Sequence, residues 1–123
     1  MPWELNSDRP IYAQLVEQME LRILTGIYPP GSRLPSVRDI AQEAAVNPNT
    51  MQRALAQLEE AGLLVTHRTS GRSVTEDANM ITQARERLAK EQIELFLENM
   101  RKLGFEPRDT LTLVADMLKE MKG

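Results

Sequence analysis

"VNPNTMQRALAQLEEAGLL", Val46 to Leu64, is the stretch whose reading decides the fold. Asparagine at position 47 is a residue type that caps a helix by accepting from its first free amides. Pro48 has the fixed φ that suits the first helical position. At 100° per residue, Met51, Ala54, Leu55 and Leu58 fall on one apolar face, and Gly62 ends the run. The opposite face carries Asn49, Gln52, Arg53, Ala56 and Glu60. Such a face is either the solvated side of a core helix or a reading surface, and the neighbouring elements decide between them.

Upstream, "DRPIYAQLVEQMELRILTG" places Tyr12, Leu15, Val16, Met19 and Ile23 at helical spacing, with Asp8 and Pro10 as start signals and Gly26 as a stop. "IYPPGSRLPS" is a turn. Ser36 followed by Asp39 predicts a capped short helix ending near Ala44. Downstream, "LLVTHR" and "RSVTE" flank "TSG", the pattern of a two-stranded hairpin with a glycine turn. A long helix is predicted from about Ala78 to Gly104, and Pro107 opens a last one. The order predicts a mainly α fold with a small β-hairpin. It reads as an N-terminal winged helix-turn-helix over residues 1–77, followed by a two-helix dimerisation segment over 78–123. That tail is too short for a good core of its own. Its apolar positions Ile81, Leu88, Phe96, Met100, Leu103, Leu111, Val114 and Leu118 are expected to pair with a second copy.

Composition narrows the function. The 123 residues are 41% hydrophobic and 27% charged, as in a soluble globular protein, and the formal charge is -3. Bulk basicity therefore advertises no nucleic acid, but the charge of a docking face matters more than the total. There is no cysteine and one histidine, which leaves no metal site of ordinary ligand type and no catalytic triad beyond a remote use of His67. The start "MPWELNSDRP" lacks the build of a signal peptide, and no apolar run approaches the ~20 residues of a membrane span. A non-enzymatic, cofactor-free protein of the cytoplasm, without membrane contact, is expected. The seven methionines fit core and dimer packing. Trp3 is expected to cover an end of the first helix.

The exposed face of the Val46–Leu64 helix has the chemistry of a base reader. Asparagine and glutamine match adenine's N6/N7 edge, arginine matches guanine or phosphate, and Ala56 allows close approach. Up to Glu76 every basic residue is arginine: Arg9, Arg22, Arg33, Arg38, Arg53, Arg68 and Arg72. Its planar fork favours bidentate contacts with phosphates and base edges.

The stretch "PIYAQLVEQMELRILTGIYPPGSRLPSVRDIAQEAAVNPNTMQRALAQLEEAGLLVTHRTSGRSVTE" resembles the DNA-binding domain of GntR-type bacterial transcription regulators. "GSRLPSVRDIA", the valine before the recognition helix, the "LEEAGLL" exit and a glycine-turn wing carry the resemblance. The short tail resembles the YtrA subfamily, whose members lack large effector domains and dimerise through these helices. The resemblance implies a homodimeric regulator, a repressor of a transporter operon in the common case, bound to a near-palindromic double-stranded operator. It implies phosphate and base contacts at Ser36, Arg38, Asn47, Asn49, Thr50 and Gln52, and on the wing at His67, Arg68, Gly71 and Arg72; Arg53 joins them from the helix face. For His67 a plain surface role is the first reading and the wing contact the second. The sequence departs from the family where Pro48 and Gln52 replace arginines, Thr69 a wing glycine and Ser73 a phenylalanine. A winged helix used only for protein interaction is the rival reading, favoured by the acidic total charge. A switch whose small-molecule effector sits between the tail helices is a second, although the tail supplies no converging polar groups and no effector is identified.

Overall fold

In the computed structural model, which describes residues 1–122, five helices and one hairpin follow the predicted order. They are α1 (Ile11–Leu24), α2 (Val37–Ala44), α3 (Pro48–Glu60), β1 (Leu64–His67), β2 (Gly71–Val74), α4 (Ala78–Lys102) and α5 (Pro107–Lys122). The chain divides into two compact units, the first Met1–Ala84 and the second beginning at Arg85. No described helix is long and apolar enough to cross a membrane.

In the first unit α1 and α2 both pack on α3, and α3 packs on β1. Leu15, Met19 and Ile23 of α1 meet a core completed by Ile40, Met51, Leu55, Leu58, Leu63, Leu64 and Val74, all buried. The helix boundaries are local chemistry. Ser36 Oγ accepts from the Asp39 amide at 3.1 Å, and Asn47 Oδ1 accepts from the Asn49 amide at 2.7 Å, with Pro48 following. Asp77 Oδ1 takes the amides of Asn79 and Met80 to start α4. The α2–α3 turn passes through Ala45 at φ 58°, a left-handed conformation that costs a residue bearing Cβ. Asp8 caps nothing; α1 begins after Pro10 without a side-chain cap.

β1 and β2 pair antiparallel, with His67 opposite Gly71 and Thr66 opposite Arg72. The 31–34 segment binds the free edge of β2: Gly31 N donates to Val74 O, Val74 N to Ser32 O, and Leu34 N to Arg72 O. The wing is therefore held on both sides.

The residues before α1 lie back along it. Gln14, Gln18 and Arg22, four residues apart on one face, tie them down. Gln14 donates to the carbonyls of Asn6 and Arg9 and accepts from the Asn6 amide; Gln18 exchanges two bonds with the Glu4 backbone. Arg22 donates to Met1 O, and its guanidinium lies 3.7 Å from the Trp3 ring centroid. Trp3 thus covers the C-terminal end of α1, and its indole N–H reaches Glu43.

The unit boundary lies further along than residue 77. Ile81 and Ala84 on α4's first turns are buried in the first unit. Ile81, expected at the dimer interface, is 5% exposed, so most of its surface goes to the core of the first unit. The second unit buries little. α4 and α5 are not among the element pairs that pack closely, and Ile93, Leu95, Leu103, Leu111, Met117 and Met121 are more than half exposed.

Candidate nucleic-acid interface

The first unit presents one polar surface made from the start of α2, the exposed side of α3 and the wing. On α3 the apolar residues Met51, Ala54, Leu55 and Leu58 point inward, which leaves Asn49, Gln52, Arg53 and Ala56 outward. Asn47 is occupied as the cap, so its carbonyl oxygen is architectural while its amide N–H groups remain donors. Thr50 is half-buried beside Trp3, Leu5, Ile11 and Val46 in a cleft of about 540 Å³. At the start of α3 Pro48 has no N–H and the amides of Asn49, Thr50 and Met51 bond Asn47, so what this end offers a phosphate is the positive end of the helix dipole.

Ser36 and Gly71 line a second cleft, of about 390 Å³, together with Arg33, Pro35, Ser70 and Arg72. The start of α2 and the wing tip therefore face a common space. Ser36 uses its oxygen to cap α2, and its hydroxyl hydrogen is still available to donate.

The seven arginines of the first 76 residues divide by partner. Arg22 is buried beneath Trp3, and Arg9 pairs with Glu17. Arg33 donates to Ser70 O at 2.8 Å and pins the wing tip. Arg53 stands with its guanidinium 4.7 Å from the centre of the Tyr12 ring, a cation–π contact that draws it toward α1. Arg38 and Arg68 are exposed and have no side-chain partner among the described residues. These two are the cations best placed to meet a phosphate backbone.

Arg72 differs from its expected place as an outward wing contact. Its Nε donates to Glu59 Oε1 at 3.1 Å and its Nη1 to Gln52 Oε1 at 3.3 Å, leaving the side chain 15% exposed. The Thr66 hydroxyl donates to the same Glu59 oxygen. That bond above all, with help from Arg72, holds the Glu59 carboxyl below the usual glutamate range against the opposing effect of burial. His67 stays on the surface, where its Nε2 pairs with Ser73 Oγ at 2.7 Å, so Ser73 orients the wing histidine.

Sequence reasoning brought the α2 start, α3 and wing to one side, and the fold does bring them together. It missed Glu59, Tyr12 and Arg33 as the residues that orient Arg72, Arg53 and the wing tip. Only the strand alternation that puts Thr66 and Arg72 on one hairpin face hinted at the first.

Known proteins give the surface its context. The gntR family of bacterial regulatory proteins matches residues 11–74. The chain is 32% identical to the HTH-type transcriptional repressor YtrA of Bacillus subtilis over 118 residues, 95% of this chain and 91% of that protein. A GntR family transcriptional regulator from Listeria monocytogenes superposes with a TM-score of 0.84 at 38% identity, covering 91% of this chain and 98% of its own. The DNA-binding domain of AraR, solved in complex with operator ORE1, superposes with a TM-score of 0.52 at 27% identity, covering 61% of this chain and 94% of its own. Five helices and a hairpin in this order, with this polar surface and these relatives, make the chain a member of the GntR family of bacterial transcription regulators, in the YtrA branch.

Proposed function

We propose that the chain is a homodimeric, sequence-specific repressor that binds a near-palindromic operator. Each α3 enters a major groove by its N-terminal half, where Asn49 and Gln52 meet base edges. Ser36, Arg38 and Arg68 hold the phosphates on either side, with the wing residues His67 and Gly71 beside them. Asn47, Thr50, Arg53 and Arg72 set the pose of this surface. The observation that carries the reading is the exposed polar face of α3 flanked by Arg38 and Arg68, which have no side-chain partner among the described residues. Repression is carried over from the name of the Bacillus YtrA relative. Action on a chromosomal operator places the protein in the cytoplasm.

Dimerisation rests on the second unit. Leu103 and Leu111, together with Phe96 and Leu118, leave large apolar area in water, more than a soluble monomer leaves without a use. Leu88, Met100 and Val114 are half-buried on the same two helices. Covering these faces with a second copy gives a twofold assembly that matches a twofold operator.

Selection of bound duplexes from a random pool tests the whole reading. The expected result is an inverted repeat bound at one dimer per duplex, with affinity falling steeply as salt rises. Recovery of no common sequence, and no shift of any duplex at low salt, would defeat it.

A further inference from the structure

Gln52 and Asn49 stand one turn apart on the same exposed face, but their surroundings differ. The Asn49 side chain has no partner among the described residues. The Gln52 side chain accepts from Arg72, and Arg72 is itself held at its backbone and at Nε, with its carboxylate partner held in turn by Thr66. Its carbonyl accepts from Leu34 N at 2.9 Å, its Nε bonds Glu59 Oε1, and Thr66, its cross-strand neighbour, bonds that same carboxylate oxygen. Glu59 lies two turns beyond Gln52, so the guanidinium bridges two residues of one α3 stripe. The wing therefore delivers a fixed positive charge to the oxygen of Gln52.

We infer that Arg72 sets the base preference of Gln52, turning it toward an acceptor edge, the N7 and O6 of guanine, in place of adenine. An unrestrained glutamine suits adenine because its oxygen accepts from N6 while its nitrogen donates to N7. Here the guanidinium occupies one lone pair of Oε1 and its charge repels a second hydrogen-bond donor. Adenine's amino group would have to donate into that position. Guanine presents two acceptors, which the Nε2 hydrogens can meet and which the nearby charge attracts. Glu59 offsets part of this charge, but it bonds Nε whereas Gln52 bonds Nη1, so the group in contact with the glutamine oxygen is the cation. Asn49, whose side chain has no partner among the described residues, keeps the adenine preference. Arg72 acts as a positioning residue: it works through Gln52 and reads no base itself.

The inference rests on the proposed operator binding, and the two fail in different ways. Duplex selection would be run in parallel with the full chain, with Gln52→Ala, with Arg72→Met, which keeps the aliphatic stem, and with Glu59→Gln, which loosens the anchor. The position whose preference vanishes in Gln52→Ala identifies the base met by residue 52. The expected wild-type choice there is guanine over adenine by about tenfold or more. Arg72→Met should shift that position to adenine while the preference at other positions persists, and Glu59→Gln should shift it part of the way. Persistence at the other positions also shows that the variant is folded. Adenine at that position in the wild type, or an unchanged guanine in both variants, would overturn the inference. If Arg72→Met loses all selection, Glu59→Gln decides alone. A wild-type chain that enriches no sequence defeats the operator reading itself, and this inference with it.

Discussion

Leu15, Met19 and Ile40 in the first unit have no exposed surface, whereas Leu103, Leu111 and Met121 in the second are 72%, 70% and 78% exposed. The two regions have similar apolar periodicity, and the difference lies in what each finds to pack against. α1, α2 and the hairpin close around α3, so each apolar stripe in the first unit meets another from the same chain. In the second, α4 and α5 each carry a stripe that its neighbour leaves uncovered. Periodicity alone thus announces that a face must be buried, not which chain buries it. A regulator built this way separates its tasks. In the proposed function one unit carries the operator-binding surface, and the other makes the doubling of that surface depend on association.

The contrast predicts that damage to the second unit acts on assembly and damage to the first on folding. The largest effect is expected for Leu111→Glu combined with Met121→Glu. Sedimentation should then give the monomer mass, and operator affinity should drop by about 100-fold or more as the second half-site is lost. A dimer mass retained in that variant would break the assignment of the interface to these helices. Next comes Leu55→Ala, which empties space at the centre of the first unit, where Leu55 is 1% exposed. Urea unfolding should show a loss of about 2–5 kcal/mol with the dimer mass unchanged.

A smaller effect of opposite sign is expected for Ala45→Gly. The left-handed backbone at Ala45 strains any residue bearing Cβ, and glycine relieves it at some cost in unfolded-chain entropy. A net gain of about 0.5–1 kcal/mol should appear in the unfolding midpoint; a loss would mean that Ala45 makes packing contacts worth more than the strain. The smallest effect concerns acid. The folded state holds the Glu59 carboxyl below its ordinary pKa, so its contribution is fully present above the unfolded pKa near 4.3 and is lost as pH falls through the folded one. Because Glu59 is more than a third exposed, that contribution is screened to about a few tenths of a kcal/mol. The stability gap between wild type and Glu59→Gln should be flat from neutral pH down to about 5 and close below it. A gap that widens on acidification would contradict the direction of the shift.

Much of the fold was legible because helix ends are set within a few residues. Asn47 with Pro48, Ser36 with Asp39, Gly104 and Pro107 marked boundaries that the structure keeps. The reading surface was legible in outline, since the turn of α3 that hides Met51 and Leu55 must expose Gln52. Partners across long sequence separations were not. Arg72 read as one more outward cation on a wing, and nothing within four residues of it reveals Glu59 or Gln52. Ile81 read as the first residue of a dimer stripe because its spacing continues into Leu88. Its burial in the first unit depends on where α4 leaves the hairpin.

The sequence by itself determined the element order, the capped start of α3, which of its faces turns outward, and the family. The first three follow from local backbone preference or from helical periodicity, which act over one or two turns, and the family from its resemblance in sequence motifs. Only the tertiary structure decided which arginines lack a partner among the described residues, that Trp3 rests on Arg22, and that Gln52 bonds Arg72 while Asn49 has no such partner. Those outcomes depend on which charged and polar groups are brought within about 3 Å of each other, and residues far apart in sequence reach that distance only once the core has closed.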